Sequence, residues 1–341
     1  MTRALAIRLD AMGDVLMTTP ALRAMRAHVD NLTLLTSPAG AGVAALVPEV
    51  DAVIAYEAPW MKAGAPHPAE ADHALVQRLA AQQFDIAVVF TVFSQTPFPA
   101  AMLAHLAGIP RIAAHVRERA YKLVSDAVDE TEPERGIRHE AQRQLDLVAS
   151  LGWRSDDTRL GIAVPEAARQ RVAPLLPPGR WMAVSPGASA PSRRYPPALF
   201  GAALRQLAGE GWRFLVTGSG EEASIVDAVI AAAGAGQSLA GQLSLAELAA
   251  VIAAAPVLIA NNSGPAHLAA AVGTPLVDLY ALTNPQHTPW QVPHRVLWRD
   301  VACRWCYASV CKTGHHLCLE GVAPDQVATA ARELAALRLA A

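Results

Sequence analysis

Residues 258–273 read LIANNSGPAHLAAAVG and mark a passage from a strand into a helix. The apolar run at residues 257–260 is typical of a strand buried in a sheet. Five turn-forming residues, NNSGP at 261–265, follow it, and His267 then lies in the first turn of a helical pattern. A plain strand-to-helix connection needs one or two such residues. The stretch therefore predicts a strand, turn and helix of a parallel α/β sheet, with a polar site at the turn.

The same alternation of short apolar strands and Ala/Leu-rich helices runs along the chain, and it is typical of parallel sheets covered on both faces. In the first half, we expect strands near residues 4–9, 32–36, 52–55, 86–90 and 111–114, and helices near 13–28, 70–82, 100–106 and 139–151. In the second half, we expect strands near 181–184, 214–217, 257–260 and 276–280, and helices near 197–210, 221–233, 245–254, 265–272 and 324–337.

A chain of 341 residues is too long for one small core and predicts two domains. A proline-marked stretch at residues 165–178, with one short helix between its prolines, indicates the boundary, so we expect domains at 1–164 and 165–341. Each half then forms an α/β, Rossmann-like domain around a parallel sheet. Ligands bind such sheets beyond the carboxyl ends of the strands.

The composition excludes several classes of protein. Hydrophobic residues are 52% and charged residues 17% of the chain, which is typical of a globular protein. The 28 Lys and Arg against 30 Asp and Glu argue against a nucleic-acid-binding protein. The N-terminal residues lack a signal-peptide pattern, and no run approaches the roughly 20 apolar residues of a membrane span. We expect a cytoplasmic protein that can also act at a membrane surface. Nothing in the sequence indicates a stable protein partner.

The first strand ends in RLDAMGDVLMTTPAL, residues 8–22, where Gly13 and Asp14 open a helix. Asp14 has two interpretations from its position. It is either a first-turn carboxylate favoured by the helix dipole, or a general base at the ligand-binding edge of the sheet. The junction lacks the G-x-G-x-x-G pattern, which argues against an NAD-dependent dehydrogenase.

Two junctions of the second half suit a nucleotide. In SPGASAPSRR, residues 185–194, small residues such as Gly187 and Ser189 let a phosphate approach the backbone, and Arg193 can bind its oxygens. A solvated basic loop is the alternative interpretation. In TGSGEE, residues 217–222, Glu222 either satisfies the helix dipole or hydrogen-bonds the hydroxyls of a ribose.

The turn at residues 261–265 offers an anion site. Ser263 and Gly264 present backbone N–H groups at a helix N-terminus, and Pro265 suits the first helical position. His267 either contacts a ligand there or packs as a structural histidine. Each of these junctions is a weak signal alone, but together they lie at the same ends of two sheets.

These residues and their surroundings resemble glycosyltransferase family 9, the bacterial ADP-heptose:lipopolysaccharide heptosyltransferases. Motifs similar to those of the family follow one another along nearly the whole chain: MGDVLMTTPAL (12–22), LAGIPR (106–111), PGASAPSRRYP (186–196), TGSGEE (217–222), LAGQLSLAELAAVIAAA (239–255), NNSGPAHLAAAVGTP (261–275) and CRWCYASVCKTGHHLCLEGVAPDQV (303–327). The resemblance implies a GT-B fold, in which two Rossmann-like domains face each other across a central cleft. It places the acceptor on the N-terminal domain and the nucleotide sugar on the C-terminal domain.

The resemblance also implies the chemistry. The reaction is an inverting, metal-independent transfer of heptose from ADP-heptose to a hydroxyl of a lipid-linked lipopolysaccharide inner-core glycan, at the cytoplasmic face of the inner membrane, without a cofactor. Matched to the family's motifs, Asp14 is the catalytic base and Glu222 binds the ribose. The remaining donor-binding positions are Ser189, Arg193, Ser263, Gly264 and His267, with Gly13, Gly187 and Asn262 adjacent.

The sequence departs from the family's pattern at three positions. Arg193 stands where the family usually has lysine, Tyr195 where it has tryptophan, and Asn262 where it commonly has aspartate. Arginine keeps the charge but changes the hydrogen-bond geometry, whereas asparagine loses the charge of aspartate. Three alternatives therefore stay open: another nucleotide sugar as donor, a protein hydroxyl as acceptor, or a GT-B scaffold that binds nucleotide sugars without catalysis.

All four cysteines, Cys303, Cys306, Cys311 and Cys318, lie in one segment near the C-terminus. Clustered cysteines in a cytoplasmic protein indicate zinc or iron, although these spacings fit no common zinc pattern. A structural metal, buried thiols and a labile disulfide all remain open. For the acceptor, basic residues of the N-terminal half are candidates: Arg117, Arg119, Lys122 and Arg143.

Overall fold

A computed structural model of the protein describes residues 1–62 and 64–339. The chain divides into two compact units after Ala163, and the boundary predicted at 164/165 lies one residue away. No helix within these ranges is long and apolar enough to cross a membrane.

The N-terminal unit is a parallel sheet with helices on its faces. Its strands are β1 (Arg3–Arg8), β2 (Asn31–Thr36), β3 (Ala52–Ala55), β4 (Ile86–Val89), β5 (Arg111–Val116) and β6 (Asp126–Asp129), in the order β3-β2-β1-β4-β5-β6. Its helices are α1 (Met12–Arg26), α2 (Pro38–Ala44), α3 (Ala69–Gln82), α4 (Phe98–Leu106) and α5 (Glu140–Ser150). The strand order reverses between β1 and β4.

The C-terminal unit repeats this plan. Its strands are β7 (Trp181–Ser185), β8 (Arg213–Val216), β9 (Gln237–Ser238), β10 (Leu258–Asn261), β11 (Leu276–Leu279) and β12 (His294–Leu297), in the order β12-β11-β10-β7-β8-β9. Its helices are α6 (Glu166–Val172), α7 (Pro197–Gly209), α8 (Ala223–Ala233), α9 (Leu245–Ala254), α10 (Gly264–Val272), α11 (Leu317–Glu320) and α12 (Pro324–Leu339). Here the order reverses between β7 and β10, and ligands of doubly wound sheets bind at such reversals.

The central strands are buried on both faces, which explains their unbroken apolar sequences. Every residue of β4, β7 and β10 is buried. On one face of the second sheet, Met182, Phe214 and Ile259 pack with α7, α8 and α12 in a single apolar core. The polar residues that follow these strands therefore lie at the ends of rigid elements, where their positions are well fixed.

Each strand and helix that the sequence predicts is present, and the α/β class with two parallel sheets is confirmed. The missed strands β6, β9 and β12 lie at sheet edges. β6 and β12 contain no fully buried residue, and β9 has two residues. Edge strands of this kind lack the apolar run that a sequence pattern detects. The short helices α2 and α11 were also missed.

Candidate functional site

Asp14 lies in the first turn of α1, directly after Gly13, and both of its oxygens have partners. Its Oδ2 accepts a hydrogen bond from the Ala11 N–H at 3.2 Å, and its Oδ1 accepts one from Arg8 Nη2 at 3.1 Å. The side chain remains 19% exposed. Asp14 therefore satisfies the helix start, as one interpretation expects, and still presents a carboxylate to solvent.

Arg8 forms ion pairs with three carboxylates at the end of β1. Its guanidinium is fully buried, and its nitrogens lie 2.9 Å from Asp10 Oδ2, 3.1 Å from Asp14 Oδ1 and 3.0 Å from Glu140 Oε1. Glu140 is itself buried in the first turn of α5. One positive charge thus faces three acidic groups, with the two partly exposed ones on the solvent side.

The surroundings shift the pKa values of this cluster. Burial raises the pKa of Asp14, and Glu140 raises it further, while Arg8 opposes both effects. Burial likewise raises the pKa of Asp10 and of Glu140, again against Arg8. Burial alone would lower the pKa of Arg8, but the three carboxylates outweigh it and raise that pKa. A carboxylate with a raised pKa is a stronger base, which suits proton abstraction.

A cavity of about 440 Å³ opens at the carboxyl ends of β1 and β4, where the order of the first sheet reverses. Asp10 and Gln95 lie on its wall, and Gln95 Nε2 donates to Asp10 Oδ1 at 2.6 Å. Aromatic and aliphatic side chains supply much of the remaining wall: Ile7, Leu9, Trp60, Met61, Val89 and Phe90. An apolar cavity with a few convergent polar groups is typical of a small-molecule site.

Arg143 is wrong as a candidate for contacts with an acceptor. It is 1% exposed, and its guanidinium binds Glu130 and the Thr91 carbonyl. Releasing it would break a buried ion pair with Glu130, whose other arginine partner, Arg138, lies 3.6 Å away, and breaking a buried pair is strongly destabilising. Arg117 donates to the Phe93 carbonyl at 3.1 Å.

In the C-terminal unit, the carboxylate of Glu222 lies against the backbone of Gly187. A Cβ atom at Gly187 would collide with that carboxylate. Glu222 Oε2 also accepts a hydrogen bond from the Ser219 N–H at 2.9 Å. The ends of β7 and β8 are joined by the hydroxyls of Ser185 and Thr217 at 2.6 Å. Glu222 and Gly187 therefore form one surface, from two neighbouring strands.

Asn261 joins the loop after β7 to the end of β10. Its Oδ1 accepts from the Tyr195 N–H at 3.0 Å, and its Nδ2 donates to the Pro186 carbonyl at 2.6 Å. The same loop carries Ser189, which is exposed, and Arg193, whose buried Nε has no hydrogen-bond partner among the described residues. The loop is thus held in place by a buried amide while its polar side chains remain available.

The turn before α10 leaves the N–H groups of Ser263 and Gly264 without a hydrogen-bond partner among the described residues. Ser263 is the N-cap residue, yet its hydroxyl donates to the Asn261 carbonyl at 3.1 Å and does not cap the helix. Gly264 then begins α10, Pro265 has no N–H, and the Ala266 N–H donates to the Ser263 carbonyl at 3.0 Å, so the N–H groups left for a ligand are those of Ser263 and Gly264. A helix N-terminus with free N–H groups attracts anions.

Two side chains of this turn are buried. Asn262 is 2% exposed and lies beside the Tyr280 hydroxyl, and its Nδ2 makes no hydrogen bond within residues 1–62 and 64–339. His267 is 6% exposed, and its ring packs edge-on against His287 with centroids 6.4 Å apart. Asn262 thus places a buried amide beside the Tyr280 hydroxyl, whereas His267 has a packing role there.

The structure therefore brings Gly187 together with Glu222, and Asn261 joins the loop that carries Arg193 to the end of β10. The sequence pattern missed Arg8, Asp10, Glu140 and Asn261. An arginine and an aspartate at the end of an apolar strand, in AIRLD at residues 6–10, were a usable signal. Glu140 carries no local signal, because it reaches Arg8 across 132 positions of sequence.

The cysteine segment packs on the loop that carries Arg193. The Ser192 hydroxyl donates to the Ala308 carbonyl at 2.7 Å, and the Ser192 N–H donates to the Ser309 carbonyl at 3.1 Å. Tyr195, next along the loop, donates its hydroxyl to the Val322 carbonyl at 2.8 Å. The segment therefore has a structural role in fixing this loop.

The four cysteines are free thiols. Over the part of the chain that the structure describes, no group of three or more His, Cys, Asp or Glu side chains is arranged to hold a metal ion. The residues present thus do not fit the structural metal that the spacing left open. A hydrogen bond from Thr313 lowers the pKa of the Cys311 thiol, whereas burial raises the pKa of Cys318.

Comparison with known proteins finds relatives that are named as heptosyltransferases or family 9 glycosyltransferases. Lipopolysaccharide heptosyltransferase 2 of Salmonella typhimurium is 31% identical over 152 residues, which are 42% of this chain and 43% of the relative. The match thus spans less than half the length of that relative. Two solved structures share the fold. The glycosyl transferase family 9 protein from Veillonella parvula has a TM-score of 0.82 at 22% identity and 98% coverage of both chains. The ADP-heptose lps heptosyltransferase II of E. coli has a TM-score of 0.79 at 22% identity and 100% coverage of both chains.

These structural likenesses extend over both units and confirm the predicted GT-B fold class. A family model for glycosyltransferase family 9 (heptosyltransferase) matches residues 73–317, which is more than half of the chain. That match includes Glu222 and the α10 turn, whereas Asp14 lies before it. The chain therefore belongs to glycosyltransferase family 9, the heptosyltransferase family.

Proposed function

We propose that the protein transfers heptose from ADP-heptose to a hydroxyl of a lipid-linked lipopolysaccharide inner-core glycan. Membership of family 9 and the names of its relatives, lipopolysaccharide heptosyltransferase 2 among them, support this assignment. A lipid-linked acceptor further implies work in the cytoplasm at the inner face of the inner membrane. The observation that carries the proposal is the placement of Glu222, Gly187 and the α10 turn on neighbouring strand ends beside the reversal of the second sheet.

The donor is bound by groups on three neighbouring strand ends. Glu222 accepts hydrogen bonds from the ribose hydroxyls, and the missing side chain of Gly187 makes room for the Glu222 carboxylate. The N–H groups at Ser263 and Gly264 bind the diphosphate, and Arg193 and Ser189 approach it from the loop after β7. The free Nε of Arg193 and the free amide of Asn262 are donors that such a ligand would satisfy.

Asp14 acts as the general base. As the acceptor oxygen attacks the anomeric carbon, Asp14 takes the hydroxyl proton, and the bond between that carbon and the ADP oxygen breaks with inversion. Negative charge builds on the departing ADP, and the guanidinium of Arg193 with the N–H groups of α10 stabilises it. Because these fixed donors supply the stabilisation, the reaction does not require a divalent metal or a cofactor.

The acceptor occupies the cavity of the N-terminal unit. The cavity shares Asp10 with the Arg8 cluster, so a sugar bound there lies next to the carboxylates that include Asp14. Its apolar wall suits the faces of a sugar ring, and Asp10 with Gln95 suits hydroxyl groups.

Thermal unfolding with added nucleotides tests the donor. We expect ADP to raise the unfolding temperature progressively as its concentration increases, and UDP and GDP to leave it unchanged. Turnover of ADP-heptose with inner-core glycans of defined length then tests the transfer. Stabilisation by UDP alone would exclude the heptose donor.

A scaffold that binds nucleotide sugars without catalysis is the second candidate, and the Asn262 and Arg193 departures favour it. Asp14→Ala separates the two functions. If wild type and variant both bind ADP-heptose and neither transfers it to any inner-core acceptor, the scaffold is correct; if the wild type alone transfers it, the enzyme is.

A further inference from the structure

We propose that Glu140 is a positioning residue that keeps Asp14 strongly basic by occupying one arm of Arg8. The inference rests on the proposed role of Asp14 as general base, and it adds a residue from α5, far from Asp14 in sequence. It concerns how the carboxylate of Asp14 is tuned, whichever sugar is transferred.

The geometry shows a shared partner. Arg8 Nη2 holds Asp14 Oδ1 at 3.1 Å, and Arg8 Nη1 holds Glu140 Oε1 at 3.0 Å. Arg8 is fully buried and Glu140 is 1% exposed, so neither charge is screened by water. A guanidinium that faced Asp14 alone would make it a weak base, since an opposite charge at this distance favours the ionised form.

Glu140 changes that balance because it contributes a second buried negative charge. It draws on the same guanidinium and repels the ionised form of Asp14, so proton binding at Asp14 becomes more favourable. Glu140 is held in this place by Gln144, whose Nε2 donates to Oε1 at 2.5 Å. Of these two carboxylates on Arg8, Asp14 therefore takes part in the reaction, and Glu140 sets how basic Asp14 is.

The other charged groups around the cluster act more weakly on Asp14. Asp10, from the turn after β1, forms an ion pair with Arg8, with its Oδ2 2.9 Å from Arg8 Nε, and adds a third negative charge. Arg143, on α5, faces Asp10 and Glu140 but is paired with Glu130. On its own helix, Asp14 receives the Ala11 N–H. These groups remain the same when Glu140 alone is changed.

Glu140→Gln removes the charge and keeps the contacts. Both hydrogen bonds that the structure gives Glu140, from Arg8 and from Gln144, go to Oε1. A glutamine with its oxygen in that place accepts both, so the fold is expected to persist. Glu49→Gln is the matched control, since Glu49 is 11% exposed and pairs with Arg23 of α1 at 2.8 Å, away from Asp14.

Carboxyl NMR of protein with carbon-13-labelled aspartate measures the effect without substrate, with Asp14→Asn identifying the resonance. We expect Glu140→Gln to lower the pKa of Asp14 by about one to two units, and Glu49→Gln to leave it unchanged. In the wild type, the Asp14 resonance should also respond in two steps, because Asp14 and Glu140 titrate as a coupled pair. The acidic limb of the pH profile of kcat/KM should move to lower pH by the same amount as the Asp14 pKa.

The charge-retaining variant Glu140→Asp should keep the acidic limb within about half a unit of the wild type. An unchanged Asp14 pKa in folded Glu140→Gln would overturn the tuning role, as would a single-step Asp14 titration in the wild type if Glu140→Gln does not fold. Failure of the base assignment has a different signature: Asp14→Asn would then keep full transferase activity, whatever the NMR shows.

Discussion

The carboxylate of Glu222 occupies the space that a side chain at Gly187 would need, so the two positions are coupled. The φ angle of Gly187 lies outside the left-handed region, so alanine is allowed by the backbone and only the carboxylate opposes it. We expect Gly187→Ala to displace Glu222 and to raise the Kd for ADP about ten- to a hundredfold, the loss typical of hydrogen bonds to a charged group. Isothermal titration calorimetry measures this Kd.

Two comparisons separate this effect from a general loss of stability. In the double variant Gly187→Ala/Glu222→Ala, the two losses should not add, because both remove the same contact. Gly209→Ala adds a methyl group where no atom lies within 4 Å, and it should leave ADP binding unchanged. Additive losses would mean that Gly187→Ala weakens ADP binding by a route other than displacing Glu222.

Asp14→Asn should abolish most of the transfer while leaving the protein folded. The amide oxygen can still accept the Ala11 N–H, so the start of α1 is retained, but the side chain can no longer take a proton. We expect kcat to fall by roughly a hundred- to ten-thousandfold, the usual contribution of a general base. The measurement is transfer from ADP-heptose at saturating acceptor.

Asp126→Asn is the control for Asp14→Asn, since Asp126 pairs with Arg111 at the outer edge of the same sheet. It should keep kcat within about twofold, as surface ion pairs contribute little. Equal loss of activity in both variants would point to a disturbed fold and not to a missing base.

The donor side of the site was the more predictable half, because its residues follow buried strands directly. Glu222 stands six residues after the end of β8, and Ser263 and Gly264 stand within three residues of the end of β10; the parallel sheet brings such positions to one edge. In the sequence, Asn261 looked like an ordinary turn residue. Its role as the bridge to Pro186 and Tyr195 depends on the pairing of β7 with β10, which a local pattern does not reveal.

The surroundings of Asp14 were only partly predictable from the sequence. The sequence places Asp14 at a helix start, yet both of its interpretations proved compatible with the structure, because Asp14 receives the Ala11 N–H and the guanidinium of Arg8 together. The acidic cluster itself needs Glu140 from α5, and α5 packs on α1 through long-range contacts. Long-range charge pairs leave no periodic mark in a sequence.

Arg193→Ala should lower kcat roughly a hundredfold or more, the usual cost of removing a donor that stabilises developing charge. Arg193→Lys should recover much of this loss, because the charge returns without the two-pronged geometry. The measurement is kcat with ADP-heptose for the three proteins. An alanine variant with a higher KM and an unchanged kcat would show that Arg193 binds the ground state only.

Arg180→Ala is the control for Arg193→Ala. Arg180 precedes β7, at the amino end of the sheet, and its guanidinium stacks on Trp212 at 4.1 Å. Its removal costs some packing but no charge near the donor, so kcat should stay within about twofold. A similar fall in both variants would mean that net charge, and not the position of Arg193, controls the rate.

Asp278 should make the C-terminal unit less stable as the pH rises. This residue of β11 is fully buried on the face opposite Val277 and Leu279, and neither of its oxygens has a hydrogen-bond partner among the described residues. Burial raises its pKa well above the usual range. Between about pH 4 and that raised pKa, the folded state binds a proton that the unfolded state has lost, so the free energy of unfolding falls with pH.

Asp278→Asn removes this titration. The free energy of unfolding of the variant, relative to that of the wild type, should therefore increase by about 1.4 kcal/mol for each pH unit within that window. Urea unfolding at pH 5, 6 and 7 measures the difference, and tryptophan fluorescence reports mainly on this unit, which holds five of the seven tryptophans. Asp227→Asn, at an exposed carboxylate of α8, should show no such gain. A constant difference between wild type and Asp278→Asn across these pH values would mean that Asp278 ionises normally in the folded protein, and that its carboxylate finds a partner in solution.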